Sequence, residues 1–215
     1  MVCYSNAMQG VTVIEHPIIQ ARVTQLRDVE TSPAQFAEHL RQISALLLFE
    51  MTRSLLTTPV EIQTPLTRTT GAQLVRPLIL VPILRAGLGM VDGMARILPD
   101  VTIGHIGMYR DEATLEPRHY YFRLPTNLAE GEVLLVDPML ATGNSAVAAI
   151  ALLKKEGATS IRFGCLISCP EGLLTLTTAH PDVPVFTAAI DEKLNEKGYI
   201  VPGLGDAGDR YFGTL

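Results

Sequence analysis

The 215-residue sequence has no tryptophan, only three cysteines, and 6% aromatic residues in all. Cys3, Cys165 and Cys169 are too few, and odd in number, to build a disulfide framework, and such a set fits a reducing cytoplasm. Cys165 and Cys169 flank Leu-Ile-Ser in an apolar run, which is half of a metal-ligand spacing. No other Cys or His pair completes it, so the two are read as buried thiols at a strand and its end. Positive charge is not in excess. Charged residues make up 18% and the formal net charge is −5, which argues against a broad nucleic-acid footprint while leaving room for a local basic patch. No apolar run is long enough to cross a membrane, since the longest, PLILVPIL, is cut by Arg85. The first residues, MVCYSNAMQG, lack the charged start and long apolar stretch of a secretory signal. Met8 fits a natural start, and residues 1–7 read as a cloning remnant or a short extension. There are no internal repeats and no low-complexity segments.

What is present is an apolar chain, 47% hydrophobic, long enough for one domain with a sizeable core. Ser32, Pro33 and Gln35 form a helix start, and Phe36, Leu40, Ile43, Leu47 and Met51 recur at helical spacing. A core-facing or dimer-facing helix is expected over 32–55. From residue 77 the pattern becomes strand, loop, helix, repeated. Strands are expected at 78–84, 101–109, 132–137, 161–168 and 184–190. Helices are expected at 88–98, at 144–156 (ended by Gly157) and at about 171–179. Residues 110–125, charged, aromatic and without period, read as a mobile hairpin or flap. This alternation predicts an α/β fold: a central, mostly parallel sheet flanked by helices, with an N-terminal helical segment. Ligands of such sheets bind outside the carboxyl ends of the strands. The unusual polar stretches fall there: Arg85-Ala86-Gly87, Arg110-Asp111-Glu112 and Asp137 to Ser145.

Each of these loops has chemistry. Thr142, Gly143, Asn144 and Ser145 are expected in the first turn of a helix, where unpaired N–H groups and the helix dipole favour an anion such as phosphate. Asp137, at the strand end, would sit beside it, able to accept hydrogen bonds from sugar hydroxyls. The Gly-Lys-Ser/Thr ending of a Walker loop is missing. An ordinary strand–helix turn capped by Asp and Ser explains the same residues, and spacing alone leaves both readings open. Arg85 weighs toward the anion, because it ends an apolar strand and precedes Ala-Gly-Leu-Gly, and a guanidinium beside a Gly turn is a good polyanion receptor. Arg110 repeats the arrangement one strand later. A structural salt bridge remains open for either Arg alone. The C-terminal stretch GYIVPGLGDAGDRYFGT (198–214) is Gly-rich, with no strand or helix period. It reads as an ordered loop whose backbone can approach a flat ligand, or as a cap over the core.

VLLVDPMLATGNS resembles the phosphoribosyl-diphosphate (PRPP) signature of the type I phosphoribosyltransferases. VPILRAGLGM, GMYRDEATLEP and GYIVPGLGDAGDRYFGT resemble the uracil branch of that family, in the expected order from about Met8 to the C-terminus. The resemblance implies one phosphoribosyltransferase domain over 8–215, with the sheet core at 77–190 and a base-binding hood at 191–215. It implies that uracil and PRPP give UMP and diphosphate, in pyrimidine salvage. By motif, Asp137, Pro138, Met139, Leu140, Ala141, Thr142, Gly143, Asn144 and Ser145 would hold the ribose 5-phosphate of PRPP, with Asp137 on the ribose hydroxyls. Arg85 and Arg110 match contacts to the diphosphate. Ile200, Gly205 and Ala207 match positions that read uracil through main-chain atoms, and Asp206 matches an acid near PRPP, uracil and the reacting centre. Arg85, Arg110 and Asp206 are thus the implied catalytic residues. The family uses Mg²⁺ with PRPP. Pro138 stands where many members carry a second acid, as in the uracil branch, so the metal is expected to arrive on diphosphate and water. Asn144 stands where Gly is usual, in a role that is largely backbone. The resemblance also implies a homodimer or larger homo-oligomer in the cytoplasm, with GTP as an activator in some relatives. Competing readings are a phosphoribosyltransferase for another base, an RNA-binding regulator that senses uracil nucleotides, and a structural oligomer without catalysis.

Overall fold

The computed structural model describes residues 9–110 and 117–214. Residues 1–8, Leu215, and 111–116 in the expected flap, with Asp111 and Glu112, lie outside the described residues. So do the side chains of 109, 110 and 117–119.

In chain order the elements are β1 (Val11–Val13), α1 (Pro17–Arg27), α2 (Pro33–Thr52), β2 (Thr57–Gln63), β3 (Arg68–Leu74), β4 (Leu78–Leu84), α3 (Leu88–Ala95), β5 (Thr102–Ile103), β6 (His105–Arg110), β7 (Pro117–Arg123), β8 (Glu132–Val136), β9 (Met139–Leu140), α4 (Asn144–Lys155), β10 (Ile161–Ser168), α5 (Pro170–Ala179), β11 (Val185–Ile190), β12 (Lys193–Leu194), β13 (Ile200–Val201) and α6 (Ala207–Phe212). Among the described residues, nine strands form one sheet in the order β1-β11-β10-β8-β4-β6-β7, with β5 beside β4 and β9 beside β10. Its pairings are parallel except β6 with β7, an antiparallel hairpin at one edge. The sheet takes in β1, well before residue 77.

The central strands are mostly apolar because both faces are covered, with Glu132 and Arg162 near the starts of β8 and β10 as the charged exceptions. Along β4, Ile79, Val81 and Ile83 point into one apolar cluster, shared with Ala149, Ile150 and Leu153 of α4 and Leu173 of α5. Leu80 points the other way, into a second cluster with Leu26 of α1, Leu40 and Leu47 of α2 and Met90 of α3. α2 starts as its sequence predicts, with Ser32 and Gln35 in a reciprocal capping box and Pro33 at the first position. Phe36, Leu40, Ile43, Leu47 and Met51 are fully buried, so this stripe faces the chain's own core and is not a dimer face. The helix ends at Thr52, three residues short of the expected 55.

Other boundaries differ by small amounts. α3 stops at Ala95 instead of 98, and the expected strand 101–109 is split into β5 and β6 by Gly104. β1, α1 and the hairpin of β2 with β3 had no counterpart in the sequence reading. The C-terminal stretch needs correction: it contains β13, paired antiparallel with β12, and the helix α6, although its composition suggested neither. Ile200 and Leu204 are buried there, while Tyr199 and Phe212 are exposed. Cys165 lies in β10 and Cys169 caps the start of α5, both buried and free.

Candidate active site

Two of the three polar stretches, at 85–87 and 137–145, lie at the carboxyl ends of the parallel strands; of the third, only the backbone of Arg110 is described, at the end of β6. β8 stops pairing with β10 at Val136, and pairing resumes at β9. Asp137 and Pro138 fill the interruption. The Asp137 N–H donates to the Gly164 carbonyl at 3.1 Å, and the Pro138 carbonyl accepts from Leu166 at 3.0 Å and Ile167 at 3.1 Å. The two residues are thereby fixed to β10. The Asp137 side chain opens onto a cavity but is closely surrounded by protein. Burial pushes its pKa up to about 7; the backbone N–H of Met139 opposes this, and the nearby Asp206 adds to it. A carboxyl held in this way gains much by accepting hydrogen bonds from a bound hydroxyl.

Beyond β9 the chain turns into α4. Gly143 is the N-cap, with φ of 82°, a left-handed conformation that a side chain would strain. A Cβ there would also lie 2.8 Å from the Gly172 carbonyl, so α5 presses directly on this turn. Thr142 and Gly143 therefore precede the helix, and only Asn144 and Ser145 of the expected four lie in its first turn. No side chain caps α4. Thr142 Oγ1 makes only a long, 3.5 Å contact with the Asn144 N–H. The start of α4 thus presents donors and a positive dipole end, the arrangement that binds phosphate. Leu140 is buried and has its side chain in the core.

Arg85 follows β4, through a cis Leu84–Arg85 peptide. Its guanidinium donates to Asp209 Oδ1 at 3.0 Å and lies 5.8 Å from the ring centroid of Phe212. It is more than half exposed, so the pair with α6 is an open one that a polyanion can compete for. The Asp209 carboxyl is held below its ordinary pKa by Thr214 and then by Arg85. Arg110 ends β6, its backbone opposite Pro117; its side chain is outside the described atoms.

Ala86, Asp137, Met139 and Ala141 form one side of a 210 Å³ cavity. Gly198, Tyr199, Ile200, Gly205, Asp206, Ala207 and Gly208 form the other. Three loops far apart in sequence meet here. The C-terminal wall is mostly backbone and small side chains, as a site that reads a flat polar ring through main-chain atoms requires. Asp206 is exposed and caps α6, with Oδ1 accepting from the Asp209 N–H at 2.9 Å. Of the sequence-predicted residues, Asp137, Met139, Ala141, Ile200, Gly205, Asp206 and Ala207 touch the cavity. Pro138, Leu140 and Thr142 to Ser145 lie along the same loop without lining it. Ala86, Gly198, Tyr199 and Gly208 also line the cavity and were not site candidates; their closeness in sequence to Arg85, Ile200 and Ala207 was the available signal. Two larger cavities, of 520 and 430 Å³, open around Glu132 and Arg162 at the opposite ends of the strands. They are remote from this chemistry.

The profile of the uracil phosphoribosyltransferase family matches residues 13–214. The chain is 56% identical over 208 residues to a uracil phosphoribosyltransferase of Exiguobacterium sibiricum, covering 96% of this chain and 100% of that one. It is 56% identical over 205 residues to the corresponding protein of Dictyoglomus turgidum, covering 95% and 99%. A solved protein of Aquifex aeolicus superposes with a TM-score of 0.89 at 34% identity, covering 94% and 97%. A Trypanosoma cruzi hypoxanthine phosphoribosyltransferase shares the fold alone, with a TM-score of 0.50 at 16% identity over 74% and 76%. On sequence and fold together, the chain belongs to the uracil phosphoribosyltransferase family.

Proposed function

We infer that the protein transfers the 5-phosphoribosyl group of PRPP to uracil, giving UMP and diphosphate. The observation that carries this reading is the meeting of a backbone-walled cavity with the buried Asp137 carboxyl, one loop before the uncapped start of α4. In this reading the 142–145 turn takes the 5-phosphate and Asp137 accepts from the ribose hydroxyls. Arg85 and Arg110 meet the diphosphate. Main-chain atoms around Ile200, Gly205 and Ala207 meet uracil, and Asp206 stands beside the reacting centre. Bond breaking at the anomeric carbon leaves positive charge on the ribose and negative charge on diphosphate, and the two Arg act where that charge develops. Arg85 would leave Asp209 to do so. The flap over 110–125 would keep water from the reacting bond.

Two carboxylates, Asp137 and Asp206, face the cavity. Among the described residues no three acids, His or Cys cluster as a metal cage. That donor set suits Mg²⁺ bound through diphosphate and water, where it would neutralise charge on the leaving group. Uracil offers acceptor, donor, acceptor along one edge, and a fixed backbone can match that pattern while leaving cytosine mismatched. The uracil name of the relatives does not favour a purine enzyme or an RNA-binding regulator.

We extend the reading to a cytoplasmic homodimer or larger, with GTP as activator, in one domain over 8–215. With the apolar stripe of α2 spent internally, self-association would use other surface. The projecting hairpin of β2 and β3 is one such surface, since a lone hairpin gains little stability by itself. Among the described residues no helix is long and apolar enough to cross a membrane. Incubation with PRPP, Mg²⁺ and each free base should give a nucleotide with uracil and little with the others. No nucleotide from uracil would refute the activity. Gel filtration with and without GTP reads the assembly.

A further inference from the structure

The backbone wall of the cavity is held from behind by charged groups that have no place in the chemistry described so far. Arg27, the last residue of α1, forms a bidentate pair with Asp191, just after β11 and 164 positions away. Nη1 donates to Oδ2 at 2.7 Å and Nη2 to Oδ1 at 2.5 Å. Asp191 is 7% exposed. Both partners then bond the same loop residue. Arg27 Nη1 donates to the Gly203 carbonyl at 2.8 Å, and the Gly203 N–H donates to Asp191 Oδ2 at 2.8 Å. Gly203 has φ of 60° and lies between Ile200 and Gly205, which face the cavity. One residue on, the Leu204 carbonyl accepts from Arg210 Nη1 at 2.9 Å. Arg210 also bonds the Leu26 carbonyl, and the Asp28 carbonyl at 2.6 Å, so it ties α6 to the same end of α1.

We propose that Arg27 and Asp191 are positioning residues for uracil: they lock both polar groups of the Gly203 backbone and so set the path of the loop whose main chain reads the base. The proposal rests on the uracil-transfer reading above. A planar fork matches the two carboxylate oxygens side by side and still has an N–H for the carbonyl, a fixed geometry that the point charge of an ammonium does not reproduce. The pair touches neither phosphate turn nor Arg85. Its loss should therefore weaken uracil use and leave PRPP use nearly intact.

Steady-state kinetics with each substrate varied test this on the full chain, for Arg27→Lys, Asp191→Asn and the double variant Arg27→Met with Asp191→Leu. The double variant removes the buried pair without stranding a charge, a change that folds commonly tolerate. The KM for uracil should rise by about tenfold or more in each, the scale of one lost charge-assisted hydrogen bond. The KM for PRPP should stay within about threefold of wild type, whereas discrimination against cytosine should fall as the KM for uracil rises. The proposal is overturned if the KM for uracil is unchanged, or if both KM values rise together. It is equally overturned if the apolar double variant restores wild-type uracil use, or if no variant folds, since the pair would then be structural only. Wild type run alongside separates the two levels. Absence of UMP from wild type refutes the transfer activity, whereas UMP from wild type with unaltered variants refutes only the positioning role.

Discussion

Asp137→Asn should make the ligand-free protein more stable above neutral pH while crippling it as an enzyme. The carboxyl has a pKa of about 7 in the fold against an ordinary 3.8, chiefly because burial disfavours its charge. A displacement of that size corresponds to about 4 kcal/mol. Asp137 opens partly to the cavity, and water there relieves some of the penalty, so ~2 kcal/mol is a reasonable working figure. The sign follows from proton counts. Between about pH 4 and 7 the folded state binds a proton that the unfolded state has released, so stability declines as pH rises through that window and levels off above it. Asparagine carries no such proton and keeps an oxygen for the Met139 N–H. In a chain of this length ~2 kcal/mol is about 4–8 °C in Tm. Thermal unfolding should show that gain at pH 8, reduced by well over half at pH 4. The same variant should lose about ten- to a hundredfold in kcat/KM for PRPP, having lost a charged acceptor for the ribose hydroxyls. For wild type, PRPP affinity should fall as pH drops below about 7, because the ionised form is the better acceptor. An equal Tm gain at both pH values, or a less stable variant at pH 8, would refute the reasoning.

Arg110→Ala should weaken PRPP use and slow turnover by on the order of a hundredfold, the scale of one lost electrostatic stabiliser; wild-type kinetics would remove Arg110 from the site. Asn144→Gly should stay within a few-fold of wild-type activity, because the proposed phosphate contact there is main-chain; a large loss in a folded variant would give the Asn side chain a direct role. Ala207→Pro is a sharp probe of backbone reading. Ala207 is the first residue of α6, a position that accepts proline, so the change removes an N–H with little harm to the helix. Uracil incorporation should collapse in Ala207→Pro and persist in Ile200→Val, and full uracil activity in the proline variant would overturn main-chain reading.

Much of the architecture was legible because it is local. β4 is apolar throughout, and β8 and β10 are largely apolar once past Glu132 and Arg162 near their starts, since a parallel strand covered on both faces needs no polar side. The capping box of α2 and the Gly157 stop after α4 act over a few residues, and sequence displays such signals directly. The loop from Asp137 to Ser145 was legible for the same reason. The hairpin of β2 and β3 was not. Its residues are largely exposed, so backbone pairing alone defines it and no apolar alternation marks it.

The rest was settled by contacts between remote segments. β1 is three residues long and is a strand only because β11 offers it an edge. α6 sits in a stretch whose glycines suggest a loop, yet Asp206 caps it and Arg210 anchors it to the end of α1. Composition could not show that Arg85 pairs with Asp209, 124 positions away, or that Arg27 and Asp191 grip Gly203. The pKa of Asp137 is likewise a tertiary property. A carboxyl at a strand end is ordinary in sequence, and it becomes unusual only when the sheet, the turn before α4 and the Asp206 loop close around it. Local preference fixes most of the helices and central strands; β1, α6, burial, charge pairing and the left-handed turn at Gly203 depend on which distant elements are packed against them.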